Sequence, residues 1–245
     1  VCRAAMAGGR IIVFAARDER TGRPVSVRVL RPPGSTDPAT LERFLREAQV
    51  ASAIDHPNVV RILELGFEGR SAFIVMEALD GESLGALLRR KRRLSLGETL
   101  EIVLPAMAAV SAAHAHQVLH RDLNPENIFV NRDQSGAVTT IKVLGFGMSA
   151  MLDESAGFAA GSGMIRSPHY LPPEQLLGKQ QLDVRADVYA FGVILYEALT
   201  GSRPFSADNH AAVLYRIGDG SAQPPSVVCP DLPAAIDGIV RKAMA

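Results

Sequence analysis

The run LHRDLNPENIFV, residues 119–130, sets Asp122 and Asn127 five positions apart, between a basic residue and a Pro-Glu turn. An aspartate and an asparagine at that spacing suit a proton acceptor and a metal ligand carried on one loop. Further along, IKVLGFGMSA places Gly145 where a second metal-binding carboxylate would be expected. Together the two segments raise the question whether this chain carries out phosphoryl transfer or only looks as though it should.

The elements that must position these residues change character along the chain. RIIVFAARD and PVSVRVL are β-rich runs joined by a hairpin turn, DERTGRP. TDPATLERFLREAQVASAI has helical periodicity, with Leu41, Phe44, Leu45 and Ala48 on one face, and ends at DHPN because a residue before proline resists the α region. VVRILELGFE and SAFIVMEAL read as two more strands. After DGESL the pattern turns helical: SLGALLRRKRRL, then SLGETLEIVLPAMAAVSAAHAHQV. Short strands IFV and TIKVL flank the loop's far side, and the Gly/Ser-rich DESAGFAAGSGM reads as a flexible loop. ADVYAFGVILYEALTG is a buried helix ending at a glycine cap, and LPAAIDGIVRKAMA is a final helix. This order predicts an α+β, two-lobed architecture with the smaller sheet lobe first.

Composition sets the limits. The 245 residues suit one large domain or two small ones, and 47% hydrophobic content is enough for a substantial core. A formal net charge of zero gives no global electrostatic case for nucleic acid or an anionic membrane. Lysine occurs only at positions 91, 142, 179 and 242, so arginine carries nearly all positive charge. Cys2 and Cys229 form neither a disulfide framework nor a metal-binding spacing, which makes a reducing compartment the default. The start of the chain lacks a signal-peptide pattern, and the most apolar runs read as buried helices. A cytoplasmic location is expected, with no membrane segment inside this chain and room for a transmembrane segment beyond its ends.

With these elements in order, the chain resembles the eukaryotic-like Ser/Thr protein kinases of bacteria. PVSVRVL matches the strand of the phosphate-binding lysine, FLREAQ helix αC, and FIVMEALDGESL the hinge. HRDLNPEN, LGFG, SPHYLPPEQ and RADVYAFGVILYEALTG follow in the family's sequence. The resemblance implies one kinase domain, residues 1–79 forming the N-lobe with the hinge and 80–245 a C-lobe truncated at its C-terminal end. It also implies ATP and Mg²⁺ as cofactors if the chain is active, weak or no nucleotide binding if it is not, and a protein substrate or partner.

Carried over residue by residue, Asp122 is the base of the catalytic loop and Asn127 holds a Mg²⁺. Asn124 stands where the family has a lysine, so it can hydrogen-bond but brings no charge. Gly145 replaces the metal-bridging aspartate, while Phe146 and Gly147 are kept. Arg28 replaces the strand lysine, and helix αC keeps Glu47. An Arg28–Glu47 pair survives as structure without presenting a point charge to phosphate. In the Gly-rich loop, in the register that places Val13 on the following strand, Met6 and Ile11 take glycine positions; Gly8 remains with Gly9 beside it. In the adenine slot Met76 is the gatekeeper, Glu77 and Leu79 offer hinge backbone, Ser26 replaces the roofing alanine, and Phe129 takes the floor. His120, Arg121, Ser167, Glu174 and Asp187 are the family's structural positions.

These departures converge on one ligand, and the reading they favour is a pseudokinase, a kinase fold retained for binding or regulation. An active Ser/Thr kinase is the alternative, supported by Asp122 and Asn127. A fragment of a decayed gene is a third. Asp122 as a purely structural residue also stays open.

Overall fold

In the computed structural model, residues 3–8, 11–30, 38–69, 71–133, 135–146, 168–176, 182–207 and 209–245 are described. Five strands, β1 (Arg3–Gly8), β2 (Ile11–Arg17), β3 (Pro24–Leu30), β4 (Ile62–Glu68) and β5 (Ser71–Glu77), form an antiparallel sheet in the order β1-β2-β3-β5-β4. The β2–β3 turn is the expected hairpin. Asp18 Oδ1 accepts the Arg20 N–H at 2.8 Å, and Gly22 takes φ +68°, where a side chain would be strained.

Helix α1 (Pro38–Ser52) lies against β4 and β5. Its Ala48 is fully buried with Leu30, Ile74 and Met76, and Leu45 packs beside them. Leu41 and Phe44, expected on the same face, have side chains outside the described set, as does Glu47. The strand expected from Val59 begins only at Ile62. Residues 58–60 zip onto the other lobe instead. The Val143 N–H donates to Asn58 O at 2.7 Å, the Val60 N–H to Val143 O at 3.0 Å, and Asn58 Nδ2 to Ile141 O at 2.8 Å.

The second lobe comprises β6 (Glu82–Ser83), α2 (Leu84–Lys91), α3 (Leu96–Ala115), a 3-10 turn at Pro125–Asn127, β7 (Ile128–Arg132) and β8 (Val138–Val143). A 3-10 turn at Pro168–Tyr170 follows, then α4 (Pro173–Leu176), α5 (Arg185–Thr200), α6 (His210–Asp219), α7 (Pro225–Val228) and α8 (Ala235–Ala243). Strands β6-β7-β8 make a small second sheet. The one-turn α4 and α7, and α6, have no counterpart in the sequence reading.

Helix α3 starts at a capping box: Ser95 Oγ accepts the Glu98 N–H and Glu98 Oε2 accepts the Ser95 N–H, satisfying donors that a helix start leaves open. Among the described residues it is long and apolar enough to cross a membrane by length and composition alone. Its buried positions, Ile102, Ala106, Ala109 and Ala113 among them, pack between β8 and α5. Helix α5 is buried on nearly every side and ends at Gly201 with φ +75°, the expected glycine cap. Its Gly192 leaves a notch for the end of α8, since a Cβ there would stand 2.8 Å from Met244 Cγ.

Candidate functional site

The loop from His120 to Asn127 hangs on one buried carboxylate. Asp187, in the first turn of α5, accepts the His120 N–H at 2.9 Å on Oδ2 and the Arg121 N–H at 3.0 Å on Oδ1. His114 Nε2, from the last turn of α3, lies 2.7 Å from the same Oδ2. Burial works against the Asp187 charge, yet these hydrogen bonds hold its pKa below the ordinary aspartate value. Arg121 takes φ +65°, a left-handed conformation that costs a non-glycine residue about 1–2 kcal/mol. The bond from its N–H to Asp187 is what fixes it there.

The fully buried His120 points inward. Its Nε2 donates to Leu144 O at 2.9 Å, and its ring centroid stands 4.9 Å from that of Phe146. Burial pushes the His120 pKa down, so the ring is held neutral. The Leu144 N–H in turn donates to Asn127 O at 2.9 Å. The loop and the segment carrying Gly145 are therefore one hydrogen-bonded unit.

Within the loop, Asn124 Nδ2 and Asn127 Nδ2 both donate to Asp122 O, at 2.9 and 2.8 Å. Asn124 Oδ1 accepts the Glu126 N–H at 3.0 Å, capping the 3-10 turn. Both ends of the Asn124 amide are thus taken up inside the loop. The Asn127 amide nitrogen is likewise occupied, leaving its Oδ1 as the oxygen turned toward Gly145.

Gly145 has φ +91°, and a Cβ built on it would meet Asn127 Oδ1 at 3.5 Å, an ordinary contact. A carboxylate at 145 would share one locus with Asn127; the glycine supplies none. The described residues contain no group of three or more His, Cys, Asp or Glu able to hold a metal ion. Mg²⁺ takes oxygen ligands in near-octahedral array, most often with one or two carboxylates. A single neutral amide oxygen beside a glycine does not fit it. Behind Gly145 and Phe146, against Met76, Ile74 and Ala48, lies a small, mainly apolar cavity of about 20 Å³.

Strand register puts Val13, Ser26, Arg28 and Met76 on one face of the larger sheet, with Val13 opposite Arg28 and Ser26 opposite Met76. Arg28 is strongly desolvated, which pulls its pKa down, and its Nε finds no hydrogen-bond partner among the described residues. Whether Glu47 meets it lies outside the described side chains. Gly8 ends β1 opposite Ile11, while Gly9 falls outside the described residues.

Glu77 closes β5. Its N–H donates to Arg61 O at 3.0 Å, and its Oε1 accepts from Arg61 N and from Lys142 Nζ, at 2.8 and 2.6 Å. Lys142 is a residue the sequence reading passed over. It lies opposite Phe129 in the β7–β8 pairing, is only 15% exposed, and ties β8 to the end of β5. The signal available was a charge in mid-strand, on one of just four lysines. Leu79 packs against the sheet-lobe core.

Gly147 and Ser167 fall outside the described residues, as does the segment between them. Beyond it, the buried Tyr170 donates to Glu197, which also pairs with Arg203, whose guanidinium carbon lies 5.7 Å from the Tyr170 ring centre. Glu174 opens α4, half-buried. The neighbouring Gln175 Nε2 donates to Arg121 O at 3.4 Å, a long contact from α4 to the loop.

A sequence model described as "Protein kinase domain" matches residues 7–231. The chain is 36% identical over 248 residues to the probable serine/threonine-protein kinase PknB of Bifidobacterium longum, covering 97% of this chain and 35% of that protein. To the serine/threonine-protein kinase PknB of Mycolicibacterium smegmatis it is 36% identical over 243 residues, again 97% of this chain and 38% of the relative. The chain therefore spans little more than a third of the curated relatives it matches. The β-sheet lobe, the helical lobe, the loop anchored on Asp187 and these matches agree: the chain belongs to the protein kinase domain family.

Proposed function

We propose that this domain is a pseudokinase that regulates a protein partner rather than transferring phosphate efficiently. The observation that carries this reading is Gly145, which leaves Asn127 without a companion carboxylate. Arg28 adds to it, because a planar guanidinium is a poor substitute for the point charge of a lysine ammonium at a phosphate. Lost phosphate electrostatics cost about two decades of rate per group, and groups acting as a unit do not sum simply. ATP binding is weak and gains little from Mg²⁺. Residues 1–79 and 80–245 act as the two lobes of one domain, placed in the cytoplasm as part of a longer protein.

A second reading, an active Ser/Thr kinase, draws on the order of the catalytic loop. Asn124 and Asn127 both donate to Asp122 O, and the N–H groups of the adjoining His120 and Arg121 are held by Asp187. The two readings separate in one assay: ATP-dependent labelling of a generic protein acceptor by the purified chain and by Gly145→Asp/Arg28→Lys. The unmodified chain is expected at background. The double variant should exceed it clearly, and by more than either single change, because both groups act on one triphosphate. The φ of +91° makes the new aspartate costly, by about 1–3 kcal/mol, so the variant is compared at a temperature where it remains folded. Substantial transfer by the unmodified chain would establish the second reading.

A further inference from the structure

The catalytic loop has a second anchor besides Asp187. Glu126, between the two asparagines, sends its carboxylate onto the start of α2. Ser83 Oγ, the N-cap of that helix, donates to Oε2 at 2.7 Å while accepting the Ala86 N–H at 3.0 Å. Arg89 Nη1, one and a half turns on, donates to Oε1 at 2.5 Å. Between them Gly85 makes the room: a Cβ on it would fall 2.2 Å from Glu126 Oε1. An exposed ion pair alone is weak, and Arg89 is 68% exposed. Here a hydroxyl, a guanidinium and a missing side chain converge on one carboxylate, and the hydrogen bonds from Arg89 and Ser83 outweigh its burial to lower its pKa. The other basic residues of this run turn elsewhere: Arg90 to Glu82, Lys91 to Glu98 and Arg93 to Asp231.

We propose that Glu126 is a positioning residue for the catalytic loop, seated in a notch formed by Ser83, Gly85 and Arg89 at the start of α2. Through it, the position of α2 sets the turn that carries Asn124 and Asn127. The proposal rests on the kinase-family assignment of residues 120–127. Its readout needs neither nucleotide nor turnover, so it stands or falls apart from the pseudokinase reading.

The test is amide hydrogen exchange by mass spectrometry on the whole chain. The reporters are peptides covering residues 122–130, which include the Glu126 and Asn127 N–H groups bonded within the loop. Arg89→Ala should speed exchange there by about fivefold, with α5 unchanged. Arg89→Lys should restore most of the protection. Arg90→Ala, which frees Glu82 instead, should leave the loop as it was. Gly85→Ala, which expels the carboxylate from its notch, should reproduce Arg89→Ala; if that variant fails to fold, Arg89→Ala and its lysine rescue decide. Unchanged loop exchange in Arg89→Ala would overturn the proposal, and so would acceleration shared equally by α5, which would mark a general loss of stability.

Discussion

His120 and Phe146 stand with ring centroids 4.9 Å apart and planes tilted by 57°, joined also through the hydrogen bond from His120 Nε2 to Leu144 O. This contact couples the His120–Asn127 loop to the segment of Gly145 through buried and partly buried groups. The loop and the Gly145 segment are thus held to each other by groups of the protein itself.

That coupling carries a pH dependence. Burial lowers the His120 pKa in the folded chain below its ordinary value of 6.5. The unfolded chain then binds more protons than the folded one below that value, so stability is full above it and falls as the solution is acidified. Urea midpoints measured from pH 8 to pH 5 should decline for the natural chain. In His120→Phe the decline should be shallower, although the variant is less stable at pH 8. An equal slope in both would show that another group is responsible.

Asp187→Ala removes the acceptor of the buried His120 N–H, of the partly buried Arg121 N–H and of His114. Each orphaned buried donor costs about 1–3 kcal/mol, so a loss of roughly 3 kcal/mol or more is expected in chemical denaturation. A loss below ~1 kcal/mol would mean that water or a local shift replaces the carboxylate.

Gly192→Ala tests the notch between α5 and α8. Its new Cβ would lie 2.8 Å from Met244 Cγ and 2.9 Å from Ala243 Cβ, closer than real contacts allow. Overpacking of this kind costs about 1–3 kcal/mol. Met244→Ala should recover part of that loss when combined with it, a coupling readable in a double-mutant cycle. Strictly additive losses would contradict the packing.

The sequence made the chain order of the principal strands and helices legible because periodicity and turn chemistry agree there. PVSVRVL and SAFIVMEAL alternate as strands, and the buried α5 helix stops at Gly201. Residues 58–60 were less legible: their β-branched run favours a strand, but hydrogen bonds to β8, a partner distant in sequence, take them out of the sheet. At the site, Asp122, Asn127 and Gly145 stand out by type and spacing. Lys142 and Glu126 do not. Each does its work through a partner on another element, Glu77 for one and Ser83 with Arg89 for the other, and no local pattern encodes those meetings.

The central claim is that Gly145 leaves the cleft without a fitted site for a divalent ion. Calorimetric titration of the purified chain with ATP, in the presence and absence of Mg²⁺, tests it most directly. The account predicts weak binding whose dissociation constant changes by less than about threefold with the metal. Tightening by roughly tenfold or more in Mg²⁺ would contradict it.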